Sequence, residues 1–428
     1  MKIAMFTNTY LPHVGGVARS VKTLEDECRK LGHEVKIIAP EYPDAEDSPH
    51  VLRVPAIQNF NGSDFAVRLP VPAKIRDFID AFQPDVIHSH HPFLLGDTAL
   101  RQAWRREIPV VFTHHTLYER YTHYVPFDSP TLKQMAIQLA TGYCNLCSAV
   151  IAPSLSIRDL LVERGVTVPI VPIPTGIDTD FFASGDGSRF RRKAGIHGES
   201  LVIGHVGRLA PEKNLRFLAE AVGLYLKGEP EAVFLLVGQG DEGDAMMEIL
   251  AEQEVEDRVY RAGQLTAREL SNAYAAMDVF VFSSQSETQG MVLAEAMAAG
   301  KPVVALDGPG VREIVIDGAN GFLLAADARP DEFACSLKTL TRESATMRRR
   351  AAMAKSSAAD FDHHLCARVV TETYERLIRE KRVRPEEEKM PWDSFLNSVE
   401  TEWNLFAAKV SAATTAILSP ATAEVGRD

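Results

Sequence analysis

At 428 residues the chain exceeds what one hydrophobic core comfortably supports, so two domains are expected. Its 46% hydrophobic and 24% charged content is that of a globular protein and excludes a fibrous or disordered one. A net charge of −12 argues against nucleic acid as a partner, and no run of 18 apolar residues is present to cross a bilayer.

In chain order, residues 2–7 (KIAMFT) read as a buried strand with no basic leader before it, so a cytoplasmic location is expected. Gly15-Gly16 form a turn and residues 17–31 a helix. EVKIIAP, DVIHSH, PVVFTHH and AVIAPS follow as short apolar strands, each succeeded by turn or helical sequence. Residues 186–200, rich in Gly, Ser and charge, are expected to be an interdomain hinge. The series then restarts with LVIGHVGR, AVFLLVGQG, VYRAG, VFVFSS, PVVALD and GFLL. Strands that are apolar throughout, with helices between them, indicate parallel sheets covered on both faces. The expected fold class is α/β. It comprises two doubly wound Rossmann-like domains, residues 1–187 and 188–380, with sites at the strand C-terminal ends in the cleft between them. In residues 381–428, the charged linker KRVRPEEEKMP precedes Trp392, Phe395, Leu396, Val399, Trp403, Phe406 and Val410. Their spacing predicts an amphipathic helix over 392–410, whose acidic polar face favours packing on the body of the protein over binding anionic lipid. Residues 419–428 read as a disordered tail.

The string SSQSETQGMVLAEAMAAGKPVVA carries the most chemistry. Val279-Phe280-Val281-Phe282 reads as a strand, and residues 293–299 as a helix stopped by Gly300 and Pro302. Glu287 then lies in the turn between them and Glu295 about two turns into the helix. Free turn amides and the helix dipole favour an anion there, and a carboxylate accepts hydrogen bonds from sugar hydroxyls. A nucleotide sugar needs both. Gly15-Gly16, between strand and helix, would let backbone N–H groups approach a phosphate, although a bare pair is also an ordinary tight turn. Arg208 and Lys213 in GRLAPEKN supply a fork and a point charge for a diphosphate, or are two solvated cations. Histidines cluster at His88, His90, His91 and at His114, His115, where hydrogen bonding to a sugar competes with structural roles and with a metal site. Asp178-Thr179-Asp180 matches the DxD string by which other sugar transferases hold a divalent metal, but it falls in a probable turn. The five cysteines, Cys28, Cys144, Cys147, Cys335 and Cys366, are scattered, and the lone CxxC of Cys144 and Cys147 has no second pair. Buried reduced thiols are the expectation.

In order and at the strand ends, Gly15-Gly16, PDVIHSHHPF, FTHHT, PTGID, GRLAPEKN, LLVGQGD and the E-x7-E of Glu287 and Glu295 resemble the retaining glycosyltransferases of family 4, which have the GT-B fold. The resemblance runs from residue 1 to about residue 379. It implies that Arg208 and Lys213 neutralise the donor diphosphate and that Gly15 and Gly16 cap it. Glu287 would accept hydrogen bonds from the donor sugar, with Gln289, Gly290 and Met291 offering backbone amides, and Glu295 would hold the ribose. His115 matches the position that contacts the sugar's C6 hydroxyl. The implied reaction uses no cofactor and no metal, because fixed cations stabilise the leaving diphosphate. Attack is on the same face, and the departing phosphate takes the acceptor's proton.

FTHHTLYERYTHYV and SETQGMV are similar to the subgroup that glucosylates diacylglycerol and to lipid mannosyltransferases. They imply UDP-glucose, or GDP-mannose, as donor and a lipid hydroxyl as acceptor. Residues 100–106 (LRQAWRR) form a basic aromatic patch compatible with peripheral contact to the inner membrane face, or a solvated helix end. Three other readings stay open: a soluble sugar acceptor, a nucleotide-sugar 2-epimerase, and a non-catalytic nucleotide-sugar sensor or scaffold. The epimerase needs acid/base carboxylates in the cleft, which E-x7-E with GRLAPEKN fits less well.

Overall fold

The protein is described by a computed structural model over residues 1–13, 15–57, 67–68, 72–120, 129–265 and 267–381. The expected helix at 392–410 and the terminal tail lie outside the described residues.

The strands are β1 (Lys2–Phe6), β2 (Glu34–Pro40), β3 (Val51–Val54), β4 (Ala56–Ile57), β5 (Val67–Arg68), β6 (Val86–Ser89), β7 (Val110–Thr113), β8 (Ala149–Ala152) and β9 (Ile170–Pro172) in the first half. The second half contributes β10 (Leu201–Val206), β11 (Ala232–Val237), β12 (Val259–Gly263), β13 (Val279–Phe282), β14 (Val303–Leu306) and β15 (Gly321–Leu324). Between them run α1 (Gly16–Lys30), α2 (Pro72–Phe82), α3 (Leu95–Arg105), α4 (Pro130–Asn145), α5 (Leu155–Glu163), α6 (Thr179–Ala183) and α7 (Gly187–Ala194). Next come α8 (Leu215–Gly228), α9 (Glu242–Glu252), α10 (Ala267–Ala276), α11 (Met291–Ala298), α12 (Pro330–Thr341), α13 (Ser344–Ala358) and α14 (His363–Lys381).

Two separate sheets result, ordered β3-β2-β1-β6-β7-β8-β9 and β12-β11-β10-β13-β14-β15, with every neighbouring pair parallel; β4 and β5 form a small antiparallel pair of their own. Strands β6, β7, β8, β11, β13 and β14 are buried at every residue, as parallel strands with both faces covered must be. In both sheets the order reverses beside the first strand of the half, and a doubly wound sheet opens its binding crevice at that point.

The crossing between the halves differs from the expected hinge. Residues 187–194 form helix α7, capped at its start by Asp186, whose Oδ1 accepts from Arg189 N at 2.9 Å, and at its end by Gly195 at φ 71°. Arg191 fixes it to the second half by donating to Ala276 O (2.9 Å) and Asp278 Oδ2 (2.8 Å). The chain crosses earlier, near Ile177, where Ile177 N donates to Phe361 O (2.9 Å) and His363 N to Ile177 O (3.0 Å). This closeness requires glycine at position 176, since a Cβ there would lie 2.3 Å from His363 Cα. Helix α14 then returns to the first half and packs on α1; Val370, Tyr374 and Leu377 share a core with Ile3, Met5 and Ile37. Residues 363–380, expected with the second domain, therefore complete the first. Among the described residues no helix is long and apolar enough to cross a membrane.

Candidate active site

Loop 207–214 follows β10 and carries Arg208 and Lys213. It lies directly against the turn after β11: a Cβ at Gly238 would sit 1.8 Å from Gly207 O, and one at Gly240 2.1 Å from Leu209 O. The glycines of LLVGQGD thus serve the path of the neighbouring loop. Loop 283–290 follows β13, and its serines fasten it to the first loop. Ser283 Oγ donates to Lys213 O (2.9 Å) and lies 3.0 Å from Asn214 O, while Ser286 Oγ donates to Glu212 O (3.1 Å).

This seam brings Lys213 Nζ onto Glu287 Oε1, with the two side chains only 16% and 17% exposed. Burial alone pushes the Glu287 carboxyl up, but the charge and hydrogen bond of Lys213, with a hydrogen bond from Ser284, hold it below its ordinary value. Glu287 is therefore ionised at neutral pH and only accepts hydrogen bonds. Arg208, in the same loop, pairs with Glu212 and keeps 42% of its side chain exposed.

Gly290 adopts a left-handed conformation (φ 76°, ψ 51°) as the N-cap of α11. The helix starts at Met291 rather than at residue 293, and Glu295, its fifth residue, stands a little over one turn in instead of the two turns expected. Glu295 is 1% exposed, accepts from Tyr274 Oη (2.7 Å) and pairs with Arg19 Nη1 (3.1 Å). Arg19 lies on α1 of the first half, so this pair bridges the cleft. Sequence reasoning missed both partners; the one available signal for Arg19 is its place one turn beyond Gly15-Gly16.

Gly15 caps α1 in an extended conformation, and the first-turn N–H groups of that helix have no intrahelical acceptor. A Cβ at Gly16 would meet nothing within 4 Å, whereas one at Gly15 would lie 3.0 Å from His13 Nε2. The Gln289 side chain turns to the first half instead of the cleft's donor side: Oε1 accepts from Thr175 N (2.6 Å) and Nε2 donates to Thr175 O (2.8 Å). Thr288 Oγ1 donates to His115 O (2.8 Å), and Ser154 Oγ to Thr288 O (2.8 Å). The turn that holds Glu287 is thus seated on the loop that holds His115.

The histidines form a buried stack behind that loop. Tyr374 Oη and His88 Nδ1 are 2.5 Å apart, His88 Nε2 and Thr113 Oγ1 2.7 Å, and His90 Nδ1 and His115 Nε2 2.9 Å. Burial, reinforced by neighbouring imidazoles, pushes His90 and His115 well below the ordinary value, so both rings are neutral at pH 7. His115 can orient a hydroxyl there but cannot serve as an acid.

The remaining motifs have structural explanations. Asp178 Oδ1 accepts from Phe181 N (2.8 Å) as the N-cap of α6. Cys144 and Cys147 are free and buried. In the basic segment 100–106, Arg106 turns inward to Asp80 and to Gln102 Oε1 (2.6 Å), and Trp104 is 41% exposed.

Two parallel-sheet halves with a cation–carboxylate pair at the strand ends match known proteins over most of the chain. Residues 14–181 match Glycosyltransferase Family 4, and residues 186–358 match Glycosyl transferases group 1. The alpha-monoglucosyldiacylglycerol synthase of Streptococcus pneumoniae is 32% identical over 330 residues, 76% of this chain and 75% of that protein. The chain belongs to glycosyltransferase family 4. A second relative, the GDP-mannose-dependent alpha-mannosyltransferase of Corynebacterium glutamicum, is 29% identical over 76% of both chains. Among solved structures, this family 4 glycosyltransferase superposes on a sucrose-phosphate synthase from Thermosynechococcus elongatus with a TM-score of 0.73 at 20% identity, covering 89% and 99% of the two chains. It also superposes on Anabaena HepE, solved in complex with UDP and glucose, with a TM-score of 0.71 at 22% identity, covering 88% and 100%. Those likenesses establish the GT-B fold.

Proposed function

We propose that this glycosyltransferase moves glucose from UDP-glucose to a lipid hydroxyl, diacylglycerol foremost, with retention of configuration and without a metal. The observation that carries the reading is the Lys213–Glu287 pair at the strand ends, with the Arg19–Glu295 pair tying α1 to the helix that follows the same loop. Lys213, Arg208 and the first-turn amides of α1 supply the fixed positive charge a departing diphosphate needs. Glu287, ionised, accepts hydrogen bonds from hydroxyls of the donor sugar. Glu295 retains lone pairs beyond those used by Arg19 and Tyr274, which a ribose can fill. The neutral His115 orients the sugar's C6 hydroxyl. In the step itself, the bond from the sugar's C1 to the phosphate oxygen breaks and a C1–O bond to the acceptor forms on the same face. The acceptor's proton passes to the departing phosphate, so no side chain is needed as base.

The lipid acceptor rests on the glucosyldiacylglycerol synthase relative and places the protein at a membrane surface, peripherally. The mannosyltransferase relative, nearly as similar, supports a second reading with GDP-mannose as donor. Incubating the protein with UDP-glucose or GDP-mannose and diacylglycerol-containing vesicles, in chelator, separates them. A glucolipid supports the first reading and a mannolipid the second. Release of free sugar alone, indifferent to lipid, rules out a lipid acceptor.

A further inference from the structure

A separate cluster stands where α14 leaves the crossing and meets α1. Glu27 is 3% exposed, and its carboxylate faces the two histidines that open α14. His363 Nε2 lies 3.2 Å from Glu27 Oε1, and His364 Nδ1 contacts Glu27 Oε2. One ligand atom from each of the three residues falls within 4.8 Å of the others.

The orientation of His363 is fixed. Its Nδ1 lies 2.8 Å from Ile177 O, and because a carbonyl only accepts, Nδ1 carries the hydrogen. In the neutral ring Nε2 then points a lone pair at a carboxylate oxygen 3.2 Å away. Two acceptors so placed need a proton or a metal ion between them, and the spacing accommodates either. Lys30 Nζ, 2.7 Å from Glu27 Oε1 and 61% exposed in its side chain, pairs with the same carboxylate oxygen and would compete with an ion for it. An imidazole whose Nδ1–H is held by a backbone carbonyl while Nε2 faces a carboxylate has the outer-shell arrangement of metal-bound histidines.

We propose that Glu27, His363 and His364 bind a zinc ion. Two imidazoles and a carboxylate are a nitrogen- and oxygen-donor set suited to zinc, whereas calcium and magnesium demand six or more oxygens. Tetrahedral bonds of about 2.0–2.1 Å set ligand atoms roughly 3.3 Å apart, which is the His363–Glu27 spacing. The His364 side chain, 59% exposed and already against Glu27 Oε2, supplies the third ligand and leaves the fourth coordination place to water. The site is structural: it ties α1 to the segment that hydrogen-bonds Ile177 at the crossing. It lies about 16 Å along α1 from Gly16, too far to touch the donor. The metal-free expectation concerned the reaction centre and is independent of this ion.

Cobalt serves as the spectroscopic probe. Chelator-treated protein titrated with Co²⁺ should develop visible bands that saturate at one equivalent and vanish when Zn²⁺ is added. Zn²⁺ should raise the melting temperature reversibly, with no change in initial transfer rate. His364→Ala, at an exposed position that leaves the fold intact, should weaken binding by at least the roughly 10- to 100-fold that loss of an outer-shell partner costs. Lys30→Met should tighten it, because Lys30 competes for Glu27 Oε1. Absence of a saturable cobalt spectrum, binding indifferent to His364→Ala, or weaker binding in Lys30→Met would each overturn the proposal.

Discussion

Replacing Lys213 by methionine keeps most of the side-chain stem and removes the charge that holds Glu287 ionised. With both side chains under one-fifth exposed, the carboxylate would be left buried without its cation. Removing one partner of a buried pair costs about 3–5 kcal/mol, and the residual exposure and the Ser284 hydrogen bond favour the low end, about 3 kcal/mol. For a domain of this size that lowers the melting temperature by roughly 6–12 °C at pH 7.5. The pH dependence also changes sign. In the wild type the folded carboxyl sits below its unfolded value, so its stabilisation is present above the unfolded pKa and lost as the pH falls through the folded one. In Lys213→Met burial wins and the folded value rises above the unfolded one, so the deficit is largest at neutral pH and shrinks toward pH 5. Adding Glu287→Gln removes the stranded charge and should restore most of the loss at pH 7.5. It should not restore activity, which falls by about 10²- to 10³-fold with loss of the diphosphate's cation. Melting curves of wild type, single and double variants at pH 5 and 7.5 test this. An equal deficit at both pH values, unrelieved by glutamine, would refute the reasoning.

Three further outcomes are expected. Glu295→Gln weakens its interactions with Arg19 and ribose, raising the donor KM by about tenfold, the equivalent of one charged hydrogen bond; steady-state kinetics with varied donor would show an unchanged KM if the role is misassigned. Gly290→Ala places a Cβ 2.9 Å from Leu293 Cδ1 at φ 76°, and should lower stability by about 1–2 kcal/mol, read by thermal melting. Burial holds His88 and His91 at about 3, below the unfolded value, so they contribute stability above about pH 6.5 that is progressively lost on acidification. The same burial of His115 predicts a transfer rate with no inflection near pH 6.5 at saturating substrate, and a limb there abolished by His115→Ala would contradict it.

Parallel strands buried on both faces read as continuous apolar runs, so VFVF, AVFLLV and LVIGHV were legible without tertiary information. Glu287 was legible for a similar reason, because a polar residue just past such a run must lie at a strand end. The hinge was misread because Gly, Ser and charge describe a linker and a short surface helix equally. Asp186 and Gly195 were helix caps all the same, and cap spacing carries more information than composition there. Arg19 with Glu295, and Glu27 with His363 and His364, are joined only by the facing of the two halves and the return of α14. A local pattern cannot register contacts between such distant segments.

The most direct test of the account is the configuration and identity of the product made from UDP-glucose and diacylglycerol vesicles in chelator, read by NMR of the anomeric proton. The account predicts an α-glucosyl lipid, formed by wild type and reduced about a hundredfold or more in Lys213→Met. A β-linked product, or glucose released to water with no lipid product, would contradict it.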